Sequence, residues 1–536
     1  MRKRPATPQL PSNELRATLG RRELFFGALV LALPLAACSG TVGEPAKRPF
    51  AHGVASGDPL PDAVILWTRV KGEGDSAVEV KWEVAEDAGF QRLAASGTFT
   101  TNQERDFTVK VDAKGLAPGR TYYYRFSALG ASSPVGRTRT APQGSTERLR
   151  FAVVSCASLA HGFFHGYREI AKQADLDCVI HLGDYIYEYA TGDYGDVRTY
   201  EPANEIVSLS DYRTRHAQYK RDPNLQEAHR QHPFITIWDD HEIANDGYKD
   251  GAQNHTPGSE GAWADRKAAA QRAYMEWMPI REQEGGRIFR KLAYGDLVEL
   301  VMLDTRYHGR TAQPGGAIAA PPAPDPKRTL LGEDQAAWME SSLKDSKARW
   351  KLLCQQVMVG NLVLNPGKEI ANLDQWHGYP ESRNRLLSFF RDSGVKNMVV
   401  LTGDIHSSWA NEITFDPADK AAYDPVTGRG SLGVELVTPG ITSPGIPDLF
   451  LSILDDARPK NLHVKWVDGS KRGFIILDVT NERVQGAWYH FQDITVEAPQ
   501  TPAFAKAWSV RDGETRLVAD EAAAPSRQGA PALAPA

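Results

Sequence analysis

The sequence predicts a layered α/β domain that follows a small all-β sandwich. Between residues 50 and 142, short segments alternate apolar and polar side chains, as half-buried strands do. From Arg148 onward, wholly apolar segments alternate with amphipathic helices, which is the order of elements in an α/β fold with a buried sheet. Polar clusters follow several of those apolar segments, at the sheet edge where α/β domains bind ligands.

The first 40 residues indicate an export signal rather than part of the fold. Arg21 and Arg22 precede an apolar segment of about 14 residues, which is too short to cross a bilayer but typical of a signal peptide. The paired arginines predict export by the twin-arginine translocase. Residues 35–38 resemble a lipobox, so Cys38 is a candidate lipid anchor; a plain cleavage site is the alternative. We expect a periplasmic protein, a cell-surface lipoprotein or a secreted protein.

Composition excludes several classes of partner. Hydrophobic residues make up 41% of the 536 residues, which is enough for a substantial core. The formal net charge is -5, and no cluster of Lys and Arg marks a nucleic-acid-binding surface or a membrane-binding face. Cys178 and Cys354 lie in apolar strand-like segments, so we expect both to be buried thiols.

The predicted N-terminal β-sandwich domain spans residues 41–145, and its first residues, 41–49, are a short polar linker. The segment 116–126 places Leu-Ala-Pro-Gly just before a strand with consecutive tyrosines, which is similar to the tyrosine corner of fibronectin-type sandwiches. No residue in this region indicates chemistry.

Residues 146–497 form the predicted α/β domain, with helices expected at Ala262–Trp277 and Glu333–Lys347. Residues 498–536 are rich in Ala and Pro and lose their periodicity, so we expect this tail to be mostly disordered.

Four strand ends carry candidate ligands. They contribute Cys156; Asp184 and Tyr187; Asp239, Asp240, His241, Asn245 and Asp246; and Asp404 and His406. One cluster alone is a modest indication, because a lone His is more often a hydrogen-bonding residue than a ligand. Together, however, so many groups would repel one another at one sheet edge unless cations neutralised them.

The donor types divide this site into two halves. Tyr187 and Cys156 offer a phenolate and a thiolate, which suit Fe(III) better than Ca or Mg. Asp and Asn oxygens suit a hard divalent ion such as Ca, Mg or Mn. Asp184 lies beside both sets and is the natural bridge.

These motifs resemble those of the calcineurin-like metallophosphoesterases. The versions VSCAS, HLGDYIYE, WDDHE and LTGDIHSSW resemble the PhoD-type alkaline phosphatases and phosphodiesterases in particular, as do the stretches 376–385 and 462–474. The resemblance covers about residues 50–490. It implies a metallophosphoesterase domain with a β-sandwich core flanked by helices, a preceding fibronectin- or Ig-like sandwich, and one Fe(III) with one or two Ca(II).

The resemblance also assigns ligands. It implies that iron is held by Cys156, Asp184, Tyr187 and a His, with His406 preferred and His463 as the second candidate. It implies hard-ion ligands among Asp239, Asp240, Asn245 and Asp404, with Asp246 left open. One departure is visible, because His377 stands in a Trp-His-Gly-Tyr segment where the family has Trp-Asp-Gly-Tyr.

The expected reaction is attack of a metal-bound hydroxide on a phosphate ester. Arg383 and Arg385 are candidates for the basic group that stabilises the phosphoryl oxygens, and the alternative is that they pair with surface carboxylates. His241 is expected to donate a proton to the leaving oxygen or to bond the phosphate, and the alternative is that it only orients a ligand.

Two other functions stay open at this stage. The first is phosphodiesterase or phospholipase D-type activity at the same site, which the sequence does not distinguish from monoesterase activity. The second is a non-enzymatic lipoprotein that binds metal or phosphate. A closed coordination shell would favour the binding protein.

Overall fold

The computed structural model describes residues 49–70, 76–315, 318–362 and 371–535. Arg21, Arg22 and Cys38 lie outside these ranges, so export and lipidation stay predictions. Within the described ranges, no helix has both the length and the apolar character required to cross a bilayer.

The N-terminal segment forms the predicted all-β sandwich. Its described strands are β1 (Val54–Gly57), β2 (Ala63–Arg69), β3 (Val78–Ala85), β4 (Leu93–Thr101), β5 (Thr108–Lys114), β6 (Thr121–Ala128), β7 (Ala131–Ser132) and β8 (Gly136–Arg139). Alternate residues of β2 and β5 pack against β3 and β6 in a common core. The backbone N–H of Ala117 donates to the hydroxyl of Tyr122 at 2.9 Å, which is the contact expected of a tyrosine corner.

The α/β part has strands from residue 148 to residue 520. They are β9 (Arg148–Ala157), β10 (Cys178–His181), β11 (Pro233–Thr236), β12 (Arg290–Tyr294), β13 (Val298–Met302), β14 (Ile318–Ala319), β15 (Trp350–Gln355), β16 (Ala371–Asn372), β17 (Met398–Thr402), β18 (Ser408–Ile413), β19 (Gly433–Val437), β20 (Gly440–Thr442), β21 (Val464–Asp468), β22 (Arg472–Thr480), β23 (Arg483–Phe491), β24 (Ala503–Arg511) and β25 (Leu517–Asp520).

Two mixed sheets carry the site. In the described residues the first has the order β25-β24-β23-β22-β9-β10-β11-β1-β2-β5, with β20 paired to β9. The second has the order β12-β13-β15-β17-β19-β18-β21. Strands β9, β10 and β11 are parallel to one another, as are β13, β15, β17 and β19, so their carboxyl ends meet at common edges.

The described helices flank these sheets. They are α1 (His165–Ala171), α2 (Leu209–Lys220), α3 (Pro223–Gln231), α4 (Pro257–Glu260), α5 (Trp263–Trp277), α6 (Glu333–Asp345), α7 (Pro380–Asp392) and α8 (Asp448–Ala457). Helices α5 and α6 confirm the two helices expected from the sequence. Local capping explains some boundaries: Ser208 and Asp211 form a capping box at α2. Asp222 caps α3 just before Pro223.

The layers share two cores, which confirms the predicted β-sandwich flanked by helices. The inner core joins residues of both sheets with α1, α2, α3 and α5, as in Val153 with Leu300 and Val399. The outer core joins the other face of the second sheet to α6 and α7, as in Val301 with Leu387. Cys178 and Cys354 are buried free thiols within the inner core, as expected.

The predicted disorder of residues 498–536 is wrong. Strand β24 pairs with β23 from Arg483↔Arg511 to His490↔Ala503, and β25 adds to β24. Beyond β25, the backbone N–H of Ala534 donates to Gln231 Oε1 at 2.8 Å. The edge of β23 that faces away from β22 supplies backbone hydrogen bonds to the extended segment of β24, and Ala507 and Val510 are buried there without a strong apolar period.

The described part of the segment 41–145 is also less separate than its sequence suggests. Strand β1 pairs in parallel with β11, so β1, β2 and β5 extend the first sheet of the α/β part. This side of the sandwich is therefore continuous with the sheet that carries the site.

Candidate active site

The structure brings most of the predicted site residues together where the two sheets end. Cys156 is the penultimate residue of β9, while Asp184 follows β10, Asp239 follows β11 and Asp404 follows β17. Three groups of side chains lie close enough to share an ion, with ligand atoms within 4.8 Å of one another in each group. They are Cys156, Asp184 and His406; Asp184, Asp240 and His241; and Asp239, Asp240 and Asp404.

The backbone at these strand ends is strained. Five predicted site residues that are not glycine adopt left-handed φ angles: Cys156 at 54°, Asp184 at 55°, Asp246 at 51°, Asp404 at 60° and His406 at 55°. Such conformations cost on the order of 1–3 kcal/mol each and persist where surrounding structure holds them. The chain therefore maintains these turns against their local preference, and each turn places a polar side chain in the site.

One half of the site combines a thiol, a phenol and an imidazole with Asp184. The hydroxyl of Tyr187 lies 3.1 Å from Asp184 Oδ2 and 3.1 Å from His406 Nε2. His406 Nε2 lies 4.0 Å from the same Asp184 oxygen. Cys156 and Tyr187 are fully buried, and burial raises the pKa of the thiol and of the phenol well above their usual values. A cation beside them would favour the deprotonated forms.

The other half is carboxylate-rich. Asp239 and Asp240 are 0% and 3% exposed, and Asp239 Oδ2 and Asp240 Oδ1 are buried without any hydrogen-bond partner. Asp404 Oδ2 accepts a hydrogen bond of 2.6 Å from Gln375 Nε2. Burial together with neighbouring carboxylates raises the pKa of Asp404 to about 6. Unpartnered buried carboxylate oxygens are costly, so these residues fit a hard divalent cation.

Asn245 and Asp246 lie beside this acidic half. The backbone N–H of Asp246 donates to Asp240 Oδ2 at 2.6 Å, and the side-chain amide of Asn245 donates to Gln253 Oε1 at 2.9 Å. Gln313 donates to Asp246 Oδ2 at 2.7 Å.

Arg306 is a basic residue within the acidic half, and the sequence analysis did not single it out. Its Nε lies 2.5 Å from Asp239 Oδ1 and its Nη2 lies 2.5 Å from Asp404 Oδ1. Its Nη1 lies 2.8 Å from Asp374 Oδ1. Burial alone would lower the pKa of Arg306, but the surrounding carboxylates raise it well above its usual value. Arg306 follows β13 in an Asp-Thr-Arg segment. This position after another strand was the one indication in the sequence that Arg306 could lie beside the site.

His241 is oriented by a buried carboxylate. Its Nδ1 lies 2.7 Å from Glu188 Oε2, and Glu188 Oε1 accepts from the backbone of Asn245 at 2.7 Å and from Asn254 Nδ2 at 2.8 Å. Burial alone would lower the pKa of His241, but Glu188, Asp240 and Asp184 raise it well above its usual value. Glu188 therefore orients the His241 ring through Nδ1, and the surrounding carboxylates favour its protonated form.

Glu242 fixes the loops that carry the candidate ligands. Its carboxylate accepts backbone N–H groups from Asp184 at 3.0 Å, Tyr185 at 2.6 Å and Asp239 at 2.7 Å. Gly183 lies between these loops with a φ of 109°, and a Cβ there would stand 2.4 Å from Asp239 Cβ. The Gly-Asp pair thus allows two ligand loops to touch, and Glu242 joins them.

Comparison with known proteins decides the family. Residues 151–488 match the family described as PhoD-like phosphatase, and residues 37–142 match the N-terminal domain of the same family. The chain belongs to the PhoD-like phosphatase family. The resemblance that the motifs indicated is thereby confirmed.

Two relatives agree with this assignment over most of their length. Alkaline phosphatase D of Bacillus subtilis (strain 168) is 37% identical over 495 residues, which is 86% of this chain and 83% of the Bacillus protein. A solved structure described as "Structure of PhoD" is 34% identical, with a TM-score of 0.81 over 91% of this chain and 95% of that chain.

The two arginines predicted to contact phosphate in this PhoD-like phosphatase lie elsewhere. Arg383 is buried in α7, where it donates to the carbonyls of Val359, Thr414 and Phe415. Arg385 pairs on the surface with Glu333 and Glu340, as the alternative interpretation had it. The prediction that Arg383 or Arg385 contacts the phosphate is therefore wrong. Their guanidinium N–H groups already donate to backbone carbonyls or to surface carboxylates.

Among the described residues, two histidines do not belong to any of the three groups that could share an ion. His463 is buried near Arg383 and Lys465 rather than near Asp184. His377 lies near Arg383 and Leu362. In this segment the carboxylate that reaches the site is Asp374, which bonds both Arg306 and Arg310, so the site receives a carboxylate even though His377 stands in the family motif.

Proposed function

We propose that the chain is an exported, metal-dependent phosphoesterase that acts as a phosphate-scavenging alkaline phosphatase, with Fe(III) in one half of the site and Ca(II) in the other. The observation that carries the proposal is the convergence of Cys156, Tyr187 and His406 on Asp184, which also borders Asp240. Asp184 thus lies between a thiol–phenol–imidazole set and a set dominated by carboxylates. Family membership and a relative named alkaline phosphatase D support hydrolysis of phosphate esters.

The donor chemistry supports two kinds of ion. A thiolate and a phenolate favour a strongly charged, polarisable transition metal, whereas carboxylates favour a hard divalent cation. When bound, such ions supply Lewis-acid charge for the phosphoryl oxygens and make water a better nucleophile near neutral pH.

The protein side chains position the two sets of donor atoms and supply a proton to the leaving group. Asp184, held by its left-handed backbone and by the Tyr187 hydroxyl, lies between the two donor sets. His241, held by Glu188 through Nδ1, keeps a proton on Nε2 for the leaving oxygen. The buried position of Cys156 and Tyr187 excludes water from their side of the site. Export is supported by Arg21 and Arg22 and by the apolar segment after them.

The test combines metal analysis with assays on the natively exported protein. We expect about one iron per chain together with calcium, and hydrolysis of an aryl phosphate monoester. Stoichiometric zinc without iron in a colourless, active enzyme would refute the metal assignment. A higher rate on a bis-aryl phosphate would favour the phosphodiesterase alternative, and no hydrolysis of either ester with both ions supplied would favour the metal- or phosphate-binding lipoprotein.

A further inference from the structure

Arg306 connects carboxylates from three separate parts of the chain. Its three guanidinium nitrogens each approach a different one: Nε reaches Asp239, Nη2 reaches Asp404 and Nη1 reaches Asp374. Arg306 itself is fully buried, and it follows a strand of the second sheet, whereas Asp239 follows a strand of the first. The guanidinium therefore spans the gap between the ends of the two sheets.

The hydrogen bonds of Arg306 use only part of each carboxylate. Asp239 gives Oδ1 to Arg306, and its Oδ2 is buried without a partner. Asp240 Oδ1 lies 3.6 Å from Arg306 Nη2, beyond hydrogen-bond distance, and it too has no partner. Asp404 is held at both oxygens, by Arg306 and by Gln375. The guanidinium thus holds Asp239 and Asp404 in place, while Asp239 Oδ2 and Asp240 Oδ1 stay available to a ligand.

Charge indicates what the available oxygens bind. When Asp239, Asp240, Asp374 and Asp404 are all ionised, they carry two more negative charges than Arg306 and Arg310 neutralise. Buried uncompensated charge is strongly unfavourable, and one divalent cation balances this excess.

We propose that Arg306 is a positioning residue for a hard divalent cation: it fixes Asp239 and Asp404 so that Asp239 Oδ2 and Asp240 Oδ1 are presented to the ion. The proposal rests on the proposed function, because the ion is the hard cation of that site. A planar fork with fixed donor directions performs this task, and a lysine, with one ammonium group, cannot hold three carboxylates in the same geometry.

The decisive variant is Arg306→Lys, which retains the positive charge and removes the planar guanidinium group. We expect calcium affinity, measured by calorimetric titration of iron-loaded protein, to fall at least ~10-fold. The visible absorption of the iron half should stay unchanged, because the guanidinium of Arg306 bonds Asp239, Asp374 and Asp404 and not the donors of that half. If Arg306→Lys binds calcium within about twofold of wild type, charge rather than geometry is what matters and the proposal is wrong.

Arg383→Lys is the matched control. This arginine is also buried, but its donors go to carbonyls outside the site. We expect Arg383→Lys to lower the melting temperature equally with and without calcium, and to leave calcium affinity unchanged. An equal loss of calcium affinity in both variants would show a general packing effect and would overturn the proposal.

Asp374→Asn provides a second route if Arg306→Lys does not fold. It removes the charge that holds Nη1 while leaving Arg306 in place. We expect a smaller loss of calcium affinity, about threefold to tenfold, again with the iron absorption intact; no change would contradict the positioning role. If wild type itself binds no divalent cation, the metal assignment of the proposed function fails, whereas calcium binding that is equal in all variants refutes only the role of Arg306.

Discussion

Tyr187 and His406 are 219 residues apart in the chain, yet the Tyr187 hydroxyl lies 3.1 Å from His406 Nε2. The two side chains come from different sheets, since Tyr187 follows β10 and His406 follows β17. Both also border Asp184. This contact joins the two sheets at the iron half of the proposed site.

Tyr187→Phe removes the phenolate while leaving the ring stacked on His241 at 4.3 Å between centroids. We expect the visible charge-transfer band of the iron-loaded protein to disappear and kcat to fall at least ~10²-fold, with the fold intact by circular dichroism. Tyr185→Phe is the matched control, because the Tyr185 hydroxyl is buried against His229 instead. A band that persists in Tyr187→Phe would exclude tyrosinate ligation.

Asp184→Asn removes the negative charge shared by the two halves. We expect metal binding and kcat to fall together, kcat by at least ~10²-fold, because charge stabilisation and the nucleophile both depend on the ions. The melting temperature in chelator should match that of chelated wild type, since the sheet core does not need this side chain. Hydrolysis at the wild-type rate would exclude a bridging role for Asp184.

Glu188→Gln tests the proton donor through the pH profile of kcat/KM. Glu188 is one of the charges that raise the pKa of His241, so its removal should lower that pKa. A group that acts while protonated loses activity as pH rises through its pKa, so the alkaline limb should move to lower pH. In a His241→Asn background, the same substitution should not move the limb; a shift there would mean that another group is responsible.

Lys220→Met tests the cost of a buried amine. Burial lowers the Lys220 pKa well below its usual value, and its Nζ lies against Trp67, Tyr185 and His229. Between the folded pKa and about 10.4, the unfolded chain binds more protons, so wild-type stability rises with pH by up to about 1.4 kcal/mol per unit.

We therefore expect Lys220→Met to have the higher free energy of unfolding at pH 7, with the difference shrinking toward pH 10. Urea unfolding at several pH values measures this difference. The exposed Lys344→Met is the control and should show no such trend. A difference that does not depend on pH would mean that Lys220 is not neutralised by burial.

Replacing Arg21 and Arg22 together with Lys tests the export signal. We expect the precursor to accumulate in the cytosol, measured by fractionation and immunoblotting, because the twin-arginine translocase reads the arginine pair. Arg16→Lys is the control and should export normally. Cys38→Ala should release the protein from the membrane fraction if Cys38 carries the lipid, and normal export of the paired variant would show that the arginines are incidental.

The sequence by itself determined the classes of element and the positions of most candidate ligands. The local pattern shows apolar strands that end close to Cys156, Asp184, Asp239 and Asp404. Neighbouring parallel strands bring their carboxyl ends to one edge of a sheet, whatever the details of packing. The tyrosine corner of the N-terminal sandwich is likewise a local contact, five residues apart in the chain.

Only the tertiary structure shows which basic group and which histidine lie beside the clustered carboxylates. Arg306, Arg383 and Arg385 are chemically equivalent in sequence, and only the packed structure shows that Arg306 meets carboxylates while Arg383 meets carbonyls. The choice of His406 over His463 depends on the same long-range geometry. Strand β24 adds to the edge of β23 and β25 adds to β24, through backbone hydrogen bonds. Backbone hydrogen bonds do not depend on a periodic pattern of side chains. Side-chain partners and sheet edges are set by contacts between distant segments, which local pattern does not encode.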